Sequence, residues 1–242
     1  MENLLLERMH DFDENYKLVQ EKIAAAAEKS GRRAEEIILL AATKTVPAAL
    51  INHAVDAGIS YIGENRVQEL MDKYDELRTD CTRHFIGRLQ TNKVKYLTGR
   101  VSCIQSVDSP KLAQEIARQS EKSGVVTDIL VEVNIGREEN KGGVLPEQLW
   151  ETLDEIRQNR SIMVKGLMAV PPVCADKRVL SGFFSKMNQY YVDIRDKKLD
   201  NVSMQCLSMG MSADFETAIE QGATMVRLGS VLFGARRSSP RD

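Results

Sequence analysis

The sequence is poor in histidine and cysteine, and each shortage removes a class of function. Its three histidines, His10, His53 and His84, lack the close spacing of metal ligands, so we expect neither a metal centre nor a serine triad. The four cysteines are also far apart, and a chain of 242 residues does not depend on disulfides for its stability. We therefore predict reduced, buried thiols and no bound metal.

The sequence also lacks a strong net charge and a long hydrophobic run. Its 33 Lys and Arg residues stand against 35 Asp and Glu, a formal net charge of -2, so no general attraction to nucleic acid or an anionic membrane is expected. No apolar stretch approaches the roughly 20 residues of a membrane-spanning helix. The N-terminus does not resemble a secretory signal. We predict a cytoplasmic protein that binds neither nucleic acid nor membrane.

What the sequence does contain is a regular alternation of short apolar runs and longer amphipathic segments. Apolar residues from Leu4 to Ile23 recur at helical spacing, and Gly31 follows where such a helix would end. Eight strand–helix units come after it. Strands are predicted at 37–43, 61–65, 84–87, 103–108, 128–134, 165–170, 202–208 and 225–228, and helices at 47–55, 66–77, 89–97, 110–122, 146–156, 179–194, 214–221 and 231–236.

Eight such units predict an α/β fold, a closed (β/α)8 or TIM barrel, with residues 1–242 forming one domain. Near-continuous apolar strands are typical of a parallel sheet that is covered by helices. We expect the extra N-terminal helix to cover the bottom of the barrel. An open, doubly wound sheet would show the same alternation and is the alternative.

Lys44 is the first candidate functional residue, because reactive groups of such barrels lie at the C-terminal ends of strands. The residues before it, 39–42, carry no charge, so the lysine could lose part of its hydration. Partial dehydration favours the neutral amine that Schiff-base chemistry needs. A solvated lysine at a strand end is the simpler interpretation of this residue alone.

Two turns of small residues follow the seventh and eighth strands, at 208–212 and 228–230. Each precedes a predicted helix, and exposed backbone N–H groups at such a position favour an anion such as phosphate. Alternatively, Ser212 and Ser230 are ordinary helix N-caps. A lysine amine and a phosphate-binding turn on one face fit either pyridoxal phosphate (PLP) or a phosphosugar.

Arg227 lies in the eighth strand just before the second turn and could project into the barrel mouth. A guanidinium stays protonated, so beside the pyridine nitrogen of PLP it would exclude a ring proton and make the ring a poor electron sink. An ion pair with Glu64 or Asp108 is the alternative role for this arginine.

In this order, the motifs of the chain resemble those of the YggS/PROSC family of pyridoxal phosphate homeostasis proteins. The matching segments are ATK at 42–44, GENRVQE at 63–69, HFIG at 84–87, LQTNK at 89–93, SVDS at 106–109, VEVN at 131–134, GLMAV at 166–170, LSMGMSAD at 207–214 and RLGSVLFGAR at 227–236. The resemblance covers nearly the whole chain. It implies a barrel like the N-terminal domain of alanine racemase, which is fold type III among PLP proteins.

The resemblance also implies PLP held as a Schiff base on Lys44, with further contacts from both halves of the chain. Those contacts are Ser208, Met209, Gly210, Gly229 and Ser230 for the phosphate, Arg227 for the ring nitrogen, and Asn65 and Ile86 for the ring. Ser230 replaces the threonine expected in the family. The loop 136–143 also departs from the usual serine-bearing loop, so no role is assigned to it.

The function implied is that of a non-catalytic carrier or buffer of PLP, acting as a monomer that could supply PLP-dependent apoenzymes. We expect no second β-domain to donate the acid/base tyrosine that a racemase of this type uses. The alternatives are a racemase of narrow range that uses one of Tyr61, Tyr96, Tyr190 or Tyr191, a cofactor-free phosphosugar aldolase or isomerase, and a purely regulatory binding protein.

Overall fold

A closed barrel of eight parallel strands forms the centre of the computed structural model, which describes residues 2–234. The strands are β1 (Ile38–Ala42), β2 (Tyr61–Glu64), β3 (Thr82–Phe85), β4 (Cys103–Val107), β5 (Thr127–Glu132), β6 (Ile162–Met168), β7 (Val202–Ser208) and β8 (Met225–Leu228). They pair in sequence order, and β8 closes the barrel on β1, with Ala41 opposite Leu228. The prediction of a (β/α)8 barrel is therefore confirmed, and the open sheet is excluded.

Helices cover the outside of the barrel. They are α1 (Glu2–Lys29), α2 (Ala48–Asp56), α3 (Val67–Lys73), α4 (Pro110–Lys122), α5 (Leu149–Ile156), α6 (Lys177–Asp196), α7 (Phe215–Glu220) and α8 (Ser230–Phe233). The strand-facing sides of these helices and the outward-facing strand residues, such as Phe85 and Ile104, make one continuous apolar core. A smaller apolar cluster of Cys103, Leu130 and Met168 lies apart from it, and we assign it to the barrel interior.

Helix α4 shows how local sequence fixes an element. Its first residue is Pro110, whose fixed φ suits that position, and the Ser109 hydroxyl before it accepts a hydrogen bond from Leu112 N at 3.4 Å. The helix begins and ends as predicted at 110–122. The α-helix predicted at 146–156 begins three residues later, at Leu149, because residues Pro146–Gln148 form a short 3-10 helix.

The third unit differs from the prediction, since its connection is a 3-10 helix, Thr91–Tyr96, instead of the α-helix predicted at 89–97. Val94 and Leu97 are buried and Thr91 is half-buried, while the residues between them are exposed. This burial repeats every three residues, which matches the three residues per turn of a 3-10 helix.

The N-terminal helix α1 runs along the outer layer, so its predicted place below the barrel is wrong. In the first half of α1, Phe12 stacks on Phe233 of α8, with the ring centroids 5.3 Å apart. Beyond its end, Arg32 donates to the carbonyl oxygens of Ile219 and Ala223, which precede β8. Gly31 has a φ of +70 and ends the helix, as predicted.

The four cysteines are free thiols, as expected. Cys81 and Cys103 are buried, but Cys174 and Cys206 are partly exposed, so the prediction of burial is wrong for those two. Cys174 belongs to the loop between β6 and α6, where little packs over it. Residues 2–234 contain no cluster of metal-ligating side chains that could hold an ion. Within the same range, no helix has the length and apolar character needed to span a bilayer.

Candidate functional site at the barrel mouth

The predicted site residues all lie at one end of the barrel, where the strands finish. Lys44, Asn65 and Ile86 follow β1, β2 and β3, while the remaining residues belong to the ends of β7 and β8. In parallel barrels these C-terminal ends form the common mouth. The set contributed by β7 and β8 is Ser208, Met209, Gly210, Arg227, Gly229 and Ser230.

Lys44 lies two residues past β1 and is half-buried. A Cβ atom on Gly63 would stand 2.5 Å from Leu40 Cδ2 and 3.1 Å from Ile86 Cδ1, so these three residues of neighbouring strands share one face of the sheet. Ala41 instead joins the outer core, which makes the Leu40 face the inner one. Side chains alternate along a strand, so Ala42 follows Leu40 on the inner side, and Lys44 lies two residues beyond it.

The turn after β8 is the neighbour of Lys44 across the closure of the barrel. A Cβ atom on Gly229 would lie 3.3 Å from the carbonyl oxygen of Ala42, two residues before Lys44. Any other residue at position 229 would crowd β1. Glycine therefore allows the backbone of the turn to lie directly beside the end of the strand that carries the lysine.

The turns after β7 and β8 are joined by the Ser212 hydroxyl, which accepts hydrogen bonds from Gly229 N and Val231 N, both at 3.3 Å. The N-cap of α7 is Asp214 and that of α8 is Gly229, so the alternative in which Ser212 and Ser230 are simple N-caps is wrong. The two amides converge on one oxygen atom, which is the arrangement that an oxyanion would use.

The β7 turn is shaped by Gly210, which has a φ of +93. Its carbonyl oxygen accepts from Arg227 N at 3.0 Å, and a Cβ at this position would meet Ala218 Cβ at 2.5 Å. Met209 beside it is fully buried in the outer core and donates its amide hydrogen to Met225 O at 3.1 Å. The Met209 amide is thus already used by the sheet.

A chain of hydrogen bonds crosses the barrel interior below the mouth. Arg227 donates through Nη1 to Ser208 Oγ at 2.7 Å, and Ser208 donates to Gln105 Oε1 at 2.7 Å. Gln105 Nε2 is in turn 2.8 Å from His84 Nδ1. Arg227 Nη2 binds Ala169 O at 3.0 Å. Both guanidinium ends of Arg227 are therefore fixed, and the Ser208 hydroxyl is already engaged as donor and acceptor.

Burial sets the electrostatics of this interior. Burial lowers the pKa of Arg227, and the nearby Glu132 carboxylate opposes that shift. Burial likewise raises the pKa of Glu132, and Arg227 opposes it. Burial lowers the pKa of His84 to about 4, so its imidazole is neutral at neutral pH. An arginine remains charged even when its pKa is lowered, so Arg227 is a cation within the mouth interior.

The carboxylates suggested as partners of Arg227 do not pair with it. Glu64 lies one residue after the inward-facing Gly63, so it faces outward and binds Lys73, with Nζ to Oε1 at 3.0 Å. Glu132 at the end of β5 is the carboxylate with the largest electrostatic effect on Arg227. The sequence prediction missed Glu132, Gln105 and His84. Each of them follows or precedes an apolar residue of the outer core on its own strand, namely Phe85, Ile104 or Val131, so alternation along each strand was the signal that could have found them.

The loop 136–143 lies at the mouth. A Cβ on Gly142 would stand 3.4 Å from Asp108 Oδ2 and 3.8 Å from Glu132 Oε2. Lys141 Nζ binds Pro171 O at 3.2 Å, which ties the loop to the connection after β6. The loop therefore borders the same interior that holds Arg227.

Comparison with known proteins assigns the family. Residues 14–237 match the model of the alanine racemase N-terminal domain. A pyridoxal phosphate homeostasis protein of Aquifex aeolicus is 46% identical over 220 residues, covering 90% of this chain and 96% of the relative. The crystal structure of an unknown protein from Bifidobacterium adolescentis has a TM-score of 0.89 at 34% identity, covering 93% and 96% of the two chains.

PipY of Synechococcus elongatus, solved with PLP bound, has a TM-score of 0.77 at 31% identity and covers 88% of this chain and 100% of its own. These matches span almost the whole length of each relative, and they agree with the family that the sequence motifs resemble. The chain belongs to the alanine racemase N-terminal domain family and, within it, to the pyridoxal phosphate homeostasis proteins.

Proposed function

We propose that this protein binds PLP as a Schiff base on Lys44 and acts as a carrier or buffer of the cofactor, not as an enzyme. Its family is named for pyridoxal phosphate homeostasis, and a relative, PipY, has been solved with PLP bound. The observation that carries the proposal is the approach of Gly229 to the Ala42 carbonyl oxygen. Ala42 lies two residues before Lys44, so this approach supports a phosphate-binding turn close to the lysine.

Two features of the mouth residues support the binding of PLP. Asn65 Oδ1 is buried and lacks a hydrogen-bond partner among residues 2–234, which leaves it available to a bound group. The amides of Gly229 and Val231 converge on the Ser212 hydroxyl oxygen, which marks where a phosphate oxygen would be received.

The chemistry at Lys44 follows from ordinary imine formation. The aldehyde carbon of PLP supplies the electrophile, to which the neutral Lys44 amine forms a C=N bond with release of one water molecule. Lys44 is half-buried, and imine formation uses the fraction of its amine that is unprotonated. Because the linkage is reversed by water, the same residue can release the cofactor.

Arg227 is the residue that favours storage over catalysis. Its two guanidinium ends are fixed by Ser208 Oγ and Ala169 O, so its charge has a fixed place in the mouth interior. Beside the ring nitrogen, this cation would exclude a ring proton and weaken the ring as an electron sink. Of the tyrosines considered as a second base, Tyr191 donates its hydroxyl to Met204 O at 2.8 Å on the outer side of β7.

The test is reduction of the PLP-loaded protein with borohydride, followed by mass spectrometry of its peptides. We expect the adduct on Lys44, loss of the adduct in Lys44→Ala, and full retention in Lys122→Ala, which changes an exposed lysine at the end of α4. An adduct on another lysine would refute the site. Racemisation or transamination at ordinary enzyme rates that Lys44→Ala abolishes would refute the carrier role.

The proposal includes the setting in which the carrier acts. We propose one PLP-binding domain over residues 1–242, a monomeric state, a cytoplasmic location and transfer of PLP to apoenzymes that depend on it. Light scattering after size exclusion tests the monomer. To test transfer, the PLP-loaded protein is mixed with a PLP-dependent apoenzyme and the rate of activation is measured. A rate higher than the release of free PLP from the loaded protein allows would support direct transfer.

A further inference from the structure

The backbone around Lys44 forms a tight turn with an unfavourable conformation at one position. Val46 N donates to Thr43 O at 3.0 Å, so Lys44 and Thr45 occupy the two central positions of the turn. Thr45 has a φ of 63. A β-branched residue rarely adopts this left-handed region, and holding it there costs about 1–3 kcal/mol. Something outside the turn must keep Thr45 in place.

The side chains that surround this turn come from β2 and α3. Glu69 accepts a hydrogen bond from Thr45 N, directly at the strained residue. Lys73 Nζ donates to Thr43 O at 3.1 Å, to Glu64 Oε1 at 3.0 Å and to Glu69 Oε1 at 2.7 Å. The backbone is thus bound on both sides of Lys44. We call Glu64, Glu69 and Lys73 the turn-holding cluster.

The turn-holding cluster is not an ordinary surface ion pair. The exposed fractions of its side chains are 14% for Lys73, 1% for Glu64 and 18% for Glu69. The three acceptors match the three N–H bonds of the lysine. Thr43 Oγ1 also donates to Glu64 Oε1 at 2.7 Å. With all three N–H bonds of Lys73 used and its side chains largely shielded from water, the cluster can hold a backbone conformation that the sequence of the turn disfavours.

We propose that Glu69, supported by Lys73 and Glu64, is a positioning residue that holds Thr45 in the left-handed conformation and thereby directs Lys44 into the mouth. This inference rests on the proposed Schiff base at Lys44. Without the Glu69 carboxylate, Thr45 is free to relax to an ordinary negative φ. The turn then opens, and the amine spends less time beside the Gly229 turn.

The experiment combines removal of the carboxylate with relief of the strain. Glu69→Ala, Thr45→Gly and the double variant are prepared in the full chain, and PLP binding is followed by visible absorption and by borohydride adduct mass. We expect Glu69→Ala to weaken PLP binding by about 5- to 30-fold, which corresponds to roughly 1–2 kcal/mol. In the double variant glycine adopts the positive φ without strain, so most of the binding should return.

Two further variants separate the mechanism from a general loss of stability. Glu69→Gln keeps an acceptor for Thr45 N and should weaken binding by less than Glu69→Ala does. Asp72→Ala removes an exposed carboxylate from the same helix, α3, and should leave binding unchanged. Thermal unfolding of each apoprotein shows whether the fold is retained. If Glu69→Ala does not fold, the single variant Glu69→Gln is compared instead with the double variant that carries both Glu69→Gln and Thr45→Gly.

The outcomes distinguish this inference from the proposed function. A wild-type adduct on a residue other than Lys44 refutes the proposed function itself. An adduct on Lys44 with unchanged binding in Glu69→Ala refutes only the positioning role. Weakened binding in Glu69→Ala that Thr45→Gly does not restore also refutes it, because the carboxylate would then act by another route.

Discussion

Replacement of Gly210 by alanine should destabilise the apoprotein strongly, because position 210 meets two separate obstacles. Its φ of +93 disfavours any residue with a Cβ atom. The new Cβ would also stand 2.5 Å from Ala218 Cβ and 3.1 Å from Phe215 Cα, both in α7. We expect about 1–2 kcal/mol from the backbone strain and roughly 1–3 kcal/mol from overpacking, so the free energy of unfolding should fall by about 2–5 kcal/mol.

Urea denaturation of the apoprotein measures this loss, and Gly182→Ala is the matched control. Gly182 lies within α6, and no heavy atom comes within 4 Å of the position of a Cβ there. The same substitution should therefore raise the unfolding free energy by about 0.5–1 kcal/mol through helix propensity. If Gly210→Ala stayed within about 1 kcal/mol of the wild type, the close packing of the β7 turn on α7 would be refuted.

Two other predictions concern protonation and the turn amides. Because burial lowers the pKa of His84 to about 4, from an unfolded value near 6.5, the unfolded chain binds a proton that the folded chain does not. The free energy of unfolding should therefore fall by up to about 3 kcal/mol as the pH is lowered from about 6.5 toward 4. In His84→Asn, the free energy of unfolding measured with urea should depend less on pH over this range. An unchanged pH dependence would refute the low pKa of His84. Ser212→Ala leaves Gly229 N and Val231 N without their acceptor, so the apoprotein should lose about 1 kcal/mol. Thermal unfolding should then show a larger stabilisation by PLP than in the wild type, and a smaller one would count against phosphate binding at these amides.

The order and type of the elements could be predicted from sequence because the alternation of apolar runs is regular. β7, β8 and α4 begin and end as predicted. The start of α4 is recognisable in the sequence from its capping serine and the proline that follows it. The third connection could not be predicted in this way. Its burial repeat of three residues is visible only when the neighbours of Val94 and Leu97 are known.

The candidate site was predictable as a set of strand ends, but its internal contacts were not. Motifs place Lys44 and Arg227 at a common mouth, because the C-terminal ends of parallel strands meet there. They do not say which carboxylate faces which cation. Glu64 follows Gly63 by one residue, and that single step sends it outward to Lys73 instead of inward to Arg227. The pairing depends on strand alternation, which motif matching ignores.

The two halves of the proposed site are held by different means, and the closure of the barrel joins them. On the β1 side, the side chains of α3 and β2 bind the turn that carries Lys44. On the β8 side, Gly229 and Val231 present backbone amides, which need no particular side chain to keep their direction. The pairing of β8 with β1 sets these halves beside each other. A ligand that spans both would therefore stabilise the closure, and weakening the closure would release the ligand.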